Sequence, residues 1–185
     1  MLYTRKGDNG TTKTFGCDQR LSKSSTVAEA LGSLDEINSF LGILKIKSGS
    51  KKIAGGGLKV LAKDVVGRIQ QDLFVIQAEV AGAEKTISED KVVWLESIVD
   101  GIEKILPPIK TFFVSGGTEL AVLSDISRTI SRRAERRVVG VVEEGKVKVG
   151  KNTLAYLNRL SSVLYALARY FNYKAGVKEE PPKYD

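Results

Sequence analysis

From about residue 24 to residue 174, apolar side chains return every third or fourth position, the period of a helix with one face on a core. Five such segments are predicted. Ser24 and Ser25 cap the first, which runs to about Lys47 with Val27, Leu31, Leu34, Ile37/Phe40 and Leu41/Leu44 on one face. "SGSKKIAGGG", Ser48 to Gly57, breaks the pattern and reads as a flexible connection. A second helix fits residues 58–81 through Leu61, Val65, Ile69, Leu73, Ile76 and Val80. Ser88 opens a third, with Glu89 and Asp90 where the helix dipole favours acids, and Pro107 and Pro108 close it. "TFFVSGGTEL", Thr111 to Leu120, is an apolar turn into a fourth helix that ends near Glu144, before Gly145. The fifth spans about 152–174 and stops at Gly176.

Long helices with mostly short connections predict an all-α, antiparallel bundle built as a single domain over residues 1–185. It divides into an N-terminal loop (1–23), the helical part (24–174) and a polar tail (175–185). "YTRKGDNGTTKT", Tyr3 to Thr14, lies outside the helical pattern and is not strand-patterned either. Two states fit it. One is a frayed terminus; the other is a phosphate-binding loop of glycine-permitted N–H groups, hydroxyls and cations.

Composition narrows the chemistry. The chain has no histidine, which removes the usual general base, the Ser-His-Asp mechanism and histidine metal sites. A single cysteine, Cys17, allows no internal disulfide, and no run reaches the roughly 18–20 apolar residues of a membrane span. A reducing cytoplasm is the expected setting, without membrane attachment. A net charge of +7 suggests an anionic ligand. Neither GxxxxGK[ST] nor GxGxxG occurs, so P-loop and Rossmann chemistry have no support.

The charge is concentrated in "SRTISRRAERRVV", Ser127 to Val139, with five arginines in ten residues. Arg128, Arg132 and Glu135/Arg136 recur at three- and four-residue steps and share a stripe. Ile126, Ile130, Ala134 and Val138/Val141 form a separate apolar one. Such a stripe is either a salt-bridged exterior or a set of forks for polyphosphate. In "LNRLSSVLYALARYFN", Leu157, Leu160, Leu164, Leu167 and Phe171 make the core face, while Asn158, Ser162, Tyr165 and Arg169 make a polar one. Asp35, in "LGSLDEINSFLG", stands among apolar neighbours, where a carboxylate wants a cationic partner; a fourth-helix arginine would serve. Two solvated acids, Asp35 and Glu36, are the other possibility.

Five of these stretches, "YTRKGDNGTT", "GSLDEINS", "FFVSGGTEL", "SRTISRRAERR" and "LNRLSSVLYALARY", resemble in order and spacing the ATP:cob(I)alamin adenosyltransferase family of the propanediol-utilisation type. The resemblance covers about Tyr3 to Asn172. It implies a ferritin-like five-helix bundle assembled as a homotrimer, with active sites between subunits. It further implies that the N-terminal loop folds over ATP. Thr4, Arg5, Lys6, Gly7, Asp8, Gly10, Thr12, Lys13 and Lys23 then belong to the nucleotide loop. Arg132, Arg133, Ala134, Glu135 and Arg136 belong to the fourth-helix nucleotide motif, and Asn158 matches a nucleotide-contacting asparagine of the fifth helix. By the same resemblance, Asp35 pairs with Arg128 across the subunit boundary, and Phe112 is a buried aromatic on the lower face of the corrinoid. Arg128, Arg132, Asp35 and Phe112 are the expected catalytic group.

The co-substrates implied are ATP, with Mg²⁺ carried on its phosphates, and cobalamin; no protein metal ligands are expected. A cobalamin reductase and an adenosylcobalamin-dependent enzyme are the implied partners. The main competing class is a basic helical nucleic-acid-binding protein, supported by the charge and the arginine-rich helix. It lacks interleaved exposed aromatics and a helix-turn-helix signature. A bundle whose arginines serve only oligomer contacts is the third.

Overall fold

The computed structural model describes residues 3–14 and 20–184; Cys17 lies outside them. In chain order the elements are β1 (Thr11–Lys13), β2 (Arg20–Ser22), α1 (Thr26–Ser48), β3 (Lys52–Gly55), β4 (Leu58–Leu61), α2 (Ala62–Val80), α3 (Glu89–Glu103), α4 (Glu119–Glu144) and α5 (Lys151–Lys174). The described residues are thus mostly helical, with five helices and two small antiparallel sheets that the all-α expectation omitted.

The helical faces follow the apolar period. Val27, Leu34, Ile37, Leu41 and Leu44 of α1, Val65, Ile69, Leu73, Ile76 and Val80 of α2, and all five predicted positions of α5 lie in one buried cluster. α4 packs against α1 and α5, α2 against α1, and α3 against α5. Ser25 caps α1 by accepting from the Ala28 N–H at 3.3 Å, and Thr118 caps α4 by accepting from the Ala121 N–H at 3.2 Å. Ser88 stands at the N-cap of α3 without a side-chain hydrogen bond, and Glu89 and Asp90 place negative charge in the first turn, where the helix dipole favours it.

Three corrections concern the buried contacts. The segment read as a flexible connection is the β3–β4 hairpin, so α2 starts at Ala62 rather than 58. Ile53 is completely buried, and the Tyr170 hydroxyl of α5 accepts from the Ala54 N–H (3.0 Å) and donates to the Lys52 carbonyl (3.1 Å). At the turn, Gly56 has φ +58, and a Cβ there would stand 1.9 Å from the Gly101 carbonyl oxygen, so only glycine lets the hairpin seat on α3.

In α4 the buried stripe runs through Ser124, Ser127, Ser131, Ala134, Val138 and Val141, whereas Ile126 is exposed. Small residues let α4 approach its neighbours closely. The three hydroxyls stay satisfied by donating to carbonyls of the preceding turn, at 2.7, 2.7 and 2.8 Å. Finally, the N-terminal stretch contributes β1, paired with β2 in the register Thr12↔Leu21, and Leu21 packs on the core.

α5 begins at a residue with no side chain, Gly150, so its first turn has no local cap. The buried Glu79 of α2 supplies it, accepting from the Gly150 N–H at 2.8 Å and from the Thr153 hydroxyl. The start of α5, and with it the register of its polar face, is therefore set by a carboxylate seventy-one residues earlier in the chain.

Candidate active site

Two concavities adjoin along α4 and α5. The larger, about 660 Å³, lies between the irregular segment after α3 and the two helices; Phe112 and Phe113, Arg128 and Arg132, and Tyr165 and Arg169 are among its walls. The smaller, about 270 Å³, is lined by Arg132, Glu135, Arg136, Val139 and Asn158. Arg132 lines both. It is exposed and, among the described residues, has no acceptor within the chain.

The helical period accounts for the smaller cleft. Arg132, Glu135, Arg136 and Val139 are three and four apart on α4, and α5 brings Asn158 opposite, its Nδ2 donating to Glu135 Oε1 at 3.1 Å. Arg159 Nη1 donates to Asn158 Oδ1 at 2.8 Å and fixes the amide from the other side. The remaining arginines of the run turn elsewhere. Arg133 pairs with Glu36 of α1 and Arg137 approaches Glu29 at 3.8 Å, a partly salt-bridged face. Ala134 is wholly buried in the core and shows no surface in the isolated chain.

Arg128 meets a nearer partner than the expected one. Its Nε donates to Asp125 Oδ1 at 2.6 Å, one turn back, and its guanidinium lies 5.9 Å from the Tyr165 ring centroid. The terminal amino groups of Arg128 have no acceptor within the chain among the described residues. Burial pushes the Asp125 carboxyl up. Hydrogen bonds from Arg128 and Ser115 (2.5 Å) and the Arg128 charge outweigh it and leave the carboxyl below its ordinary value. A depressed carboxylate contributes stability above its unfolded pKa and loses it only as pH falls through the folded one, so the pair persists at neutral pH. Burial likewise raises the Tyr165 phenol, which faces the cavity as a neutral group.

Asp35 is exposed on α1 and unpaired among the described residues, which corrects the expectation that it lies beside the core. Phe112 is also exposed, at 80%, rather than buried.

The N-terminal loop is ordered by its own chemistry. The Gly10 N–H donates to the Gly7 carbonyl at 3.1 Å, and the Lys23 N–H donates to Gly10 at 2.9 Å. The position of a Cβ on Gly7 would be 3.3 Å from Lys23 Nζ, which places that lysine over the loop. Arg20 was missed by sequence reasoning. Its Nε donates to Thr11 Oγ1 (2.6 Å) and its Nη2 to the carbonyls of Thr11 (2.9 Å) and Lys6. Asn9 Oδ1 in turn accepts from the Thr11 hydroxyl at 2.6 Å. Thr4, Arg5, Asp8, Thr12 and Lys13 stand on this frame, Arg5 with φ +57 and its guanidinium 5.4 Å from the Tyr3 ring centroid. The signal available in the sequence was a lone arginine nine residues after a threonine, too common to single out.

Among the described residues, no three His, Cys, Asp or Glu side chains converge on a metal position. No helix there is long and apolar enough to cross a membrane.

Comparison with known proteins sets these features in a family. The family model for cobalamin adenosyltransferase matches residues 2–171. The corrinoid adenosyltransferase of Bacillus subtilis is 34% identical over 180 residues, covering 95% of this chain and 89% of its own. The corrinoid adenosyltransferase PduO of Citrobacter freundii is 35% identical over 175 residues, 91% of this chain but 49% of its own, so the chain spans about half of that longer relative. Among solved structures, a phenylalanine-to-histidine variant of the PduO-type ATP:corrinoid adenosyltransferase from Lactobacillus reuteri, complexed with cobalamin and ATP, superposes with a TM-score of 0.86 at 31% identity. That match covers 100% of this chain and 97% of the other. An arginine-to-lysine variant of the PduO-type adenosyltransferase from the same organism, complexed with ATP, gives 0.84 at 31% identity.

Proposed function

The chain belongs to the cobalamin adenosyltransferase family, and we infer from that premise how its residues share the reaction. The protein transfers the 5′-deoxyadenosyl group of ATP to a reduced corrinoid. The cobalt(I) lone pair forms the bond to C5′, and the C5′–O bond breaks with its electrons leaving on inorganic triphosphate. No proton has to move in that step, which suits a chain without histidine. What the protein must supply is in-line placement and stabilisation of a polyanionic leaving group.

The observation that carries the assignment of sites is the position of Arg132 on both concavities. We assign the smaller cleft, with Glu135, Arg136 and Asn158, to the nucleotide, and the larger, with Phe112 and Tyr165, to the corrinoid. Arg132 then stands where the adenosyl group crosses. The loop from Thr4 to Lys13, with Lys23 above it, closes over the phosphates, its exposed cations and N–H groups forming an anion-binding frame. Mg²⁺ on the phosphates would offset their charge; the protein contributes arginine and lysine rather than a carboxylate cage.

The chain is a single domain in this proposal, its helices an antiparallel five-helix bundle, and its active form a homotrimer with sites between subunits. Exposed Asp35 and exposed Phe112 support an opposing surface, as do the uncommitted amino groups of Arg128. A neighbouring copy would bring the nucleotide loop to the arginines of α4 and cover Phe112. We place the protein in the cytoplasm, supplied by a cobalamin reductase and serving an adenosylcobalamin-dependent enzyme. The nucleic-acid reading is set aside on the family match, and Arg133 and Arg137, paired with α1 carboxylates, weaken it further.

The deciding experiment is anaerobic mixing of cob(I)alamin, Mg·ATP and protein, followed by visible spectroscopy and triphosphate assay. Adenosylcobalamin and triphosphate should appear one for one. No turnover under verified reducing conditions overturns the assignment.

Two substitutions test the division of labour. Phe112→Ala should lower turnover with cobalamin while the KM for ATP changes little, since an apolar ring excludes water from a cobalt face without meeting nucleotide. A matching loss of ATP affinity would place Phe112 elsewhere. Arg20→Ala should do the reverse. Loss of the donors that hold Thr11 and Lys6 should raise the KM for ATP about tenfold and spare cobalamin. An unchanged KM for ATP would make the loop's order irrelevant to binding.

A further inference from the structure

Arg169 and Asn172 are three residues apart on α5, both buried, and neither has a part in the chemistry above. Burying a guanidinium is costly unless it is paired and hydrogen-bonded, so its partners show what it holds. Arg169 Nε donates to both carboxylate oxygens of Glu179, at 3.0 and 3.1 Å, and Nη2 donates to Glu179 Oε2 at 2.9 Å. Nη2 also donates to the Pro107 carbonyl at 3.1 Å, and the guanidinium lies 5.4 Å from the Phe113 ring centroid. Asn172 Oδ1 accepts from the Thr118 N–H at 2.9 Å, and its Nδ2 donates to the Gly116 carbonyl at 3.0 Å. Gly117 makes this approach possible: its φ is +96, and a Cβ there would stand 2.2 Å from Asn172 Oδ1. Between the two ends, the Val114 N–H donates to the Glu180 carbonyl at 2.8 Å.

Residues 107–118 are therefore gripped at the first turn, at the middle and at the last turn. The tail makes the middle grip itself, through the Glu180 carbonyl, and through Glu179 it holds the Arg169 guanidinium that makes the first. The ungripped tip carries Ile109 and Phe112, both exposed. The tail after Gly176 is thus more than a polar end. Its position decides where the aromatic tip stands relative to the cavity.

We propose that the tail acts as a clasp, closed by the Arg169–Glu179 ion pair, that positions the Phe112 tip for the corrinoid and leaves the nucleotide side alone. Glu179 is in this sense a positioning residue. The proposal rests on assigning the larger concavity to the corrinoid. It predicts that a residue of the tail, far along the chain from the arginine run, affects one substrate only. Coupling of this kind follows from shared rigid contacts: when the tail leaves, the segment keeps its Asn172 anchor, loses the Val114 restraint, and is left with an Arg169 whose guanidinium Glu179 no longer orients.

The test uses the full-length protein with Glu179→Asp, Glu179→Gln and Glu179→Ala. Glu179→Ala should lower kcat/KM for cobalamin about tenfold and change the KM for ATP less than about twofold. Glu179→Gln should fall between, since it keeps hydrogen bonds without charge, and Glu179→Asp should recover most of the loss. Hydrogen exchange at the Val114 amide should accelerate in the same variant, a readout independent of turnover. Unchanged cobalamin parameters with a normal wild-type rate overturn the clasp and leave the family assignment standing. Equal losses for both substrates, or a loss that simply follows the melting temperature, also overturn it. A wild type without any adenosyl transfer overturns both.

Discussion

Replacing Arg132 by lysine is expected to lower kcat about a hundredfold and to change the KM for ATP far less. Arg132 has no acceptor within the chain among the described residues, although most neighbouring arginines of α4 do. A side chain left uncommitted at the junction of two concavities is available for a group that appears only when both are filled. In this reaction that group is the triphosphate, whose charge grows as the C5′–O bond breaks. Guanidinium presents a planar fork to two phosphate oxygens at once. An ammonium keeps the charge but offers no such fork, and its longer-range attraction acts on bound ATP and transition state alike. Losing one well-placed donor commonly costs roughly 3 kcal/mol of transition-state stabilisation, which is the hundredfold expected. The arginine-to-lysine variant of the Lactobacillus reuteri relative is itself complexed with ATP, consistent with binding that survives such a change there. Single-turnover rates at saturating cob(I)alamin and ATP would check the prediction. If only the KM for ATP rose, Arg132 would be a ground-state contact and the crossing point would lie elsewhere.

What the sequence made legible was whatever depends on local periodicity. The helices announced themselves through apolar repeats, and the cap at Ser25 follows from chemistry within three residues. The cleft formed by Arg132, Glu135 and Arg136 was legible for the same reason, because a helix brings such positions together whatever surrounds it. The misses share a different cause. The β3–β4 hairpin is interrupted by three glycines and owes its stability to Tyr170 and Gly101, contacts more than forty residues away. The stripe of serines in α4 is buried because its neighbours come close, a demand no propensity encodes. Glu79 capping α5, Arg20 bracing the loop and Arg169 holding the tail are long-range or irregular contacts of single polar residues. Asp125 differs. It lies three residues before Arg128 on one helix face, and the i,i+3 rule was sufficient to nominate it.

The Asp125 pair changes what is expected of Asp35 without removing it. Asp125 takes Nε of Arg128 and leaves the terminal amino groups of the fork without an acceptor among the described residues. Asp35 is exposed on α1 and unpaired among the described residues. We therefore expect Asp125 to hold Arg128 in the rotamer that Asp35 of a neighbouring subunit engages, giving one arginine two carboxylates. In the assembled trimer this contact would be shielded from solvent, where removing one member of a hydrogen-bonded charge pair costs about 2 to 5 kcal/mol. Asp35→Asn and Arg128→Lys should each lower trimer stability and activity. Lysine should fail despite its charge because it cannot serve both carboxylates with the geometry of the fork. Asp125→Asn should act more mildly, lowering activity more than assembly, since the intersubunit contact survives while its orientation loosens. A charge-swapped Asp35/Arg128 pair should recover assembly better than turnover, because attraction suffices for the former and geometry is required for the latter. Sedimentation equilibrium across a double-mutant cycle measures the coupling directly. Strictly additive losses in trimer stability, or a fully active monomer at micromolar concentration, would mean that these two side chains never meet.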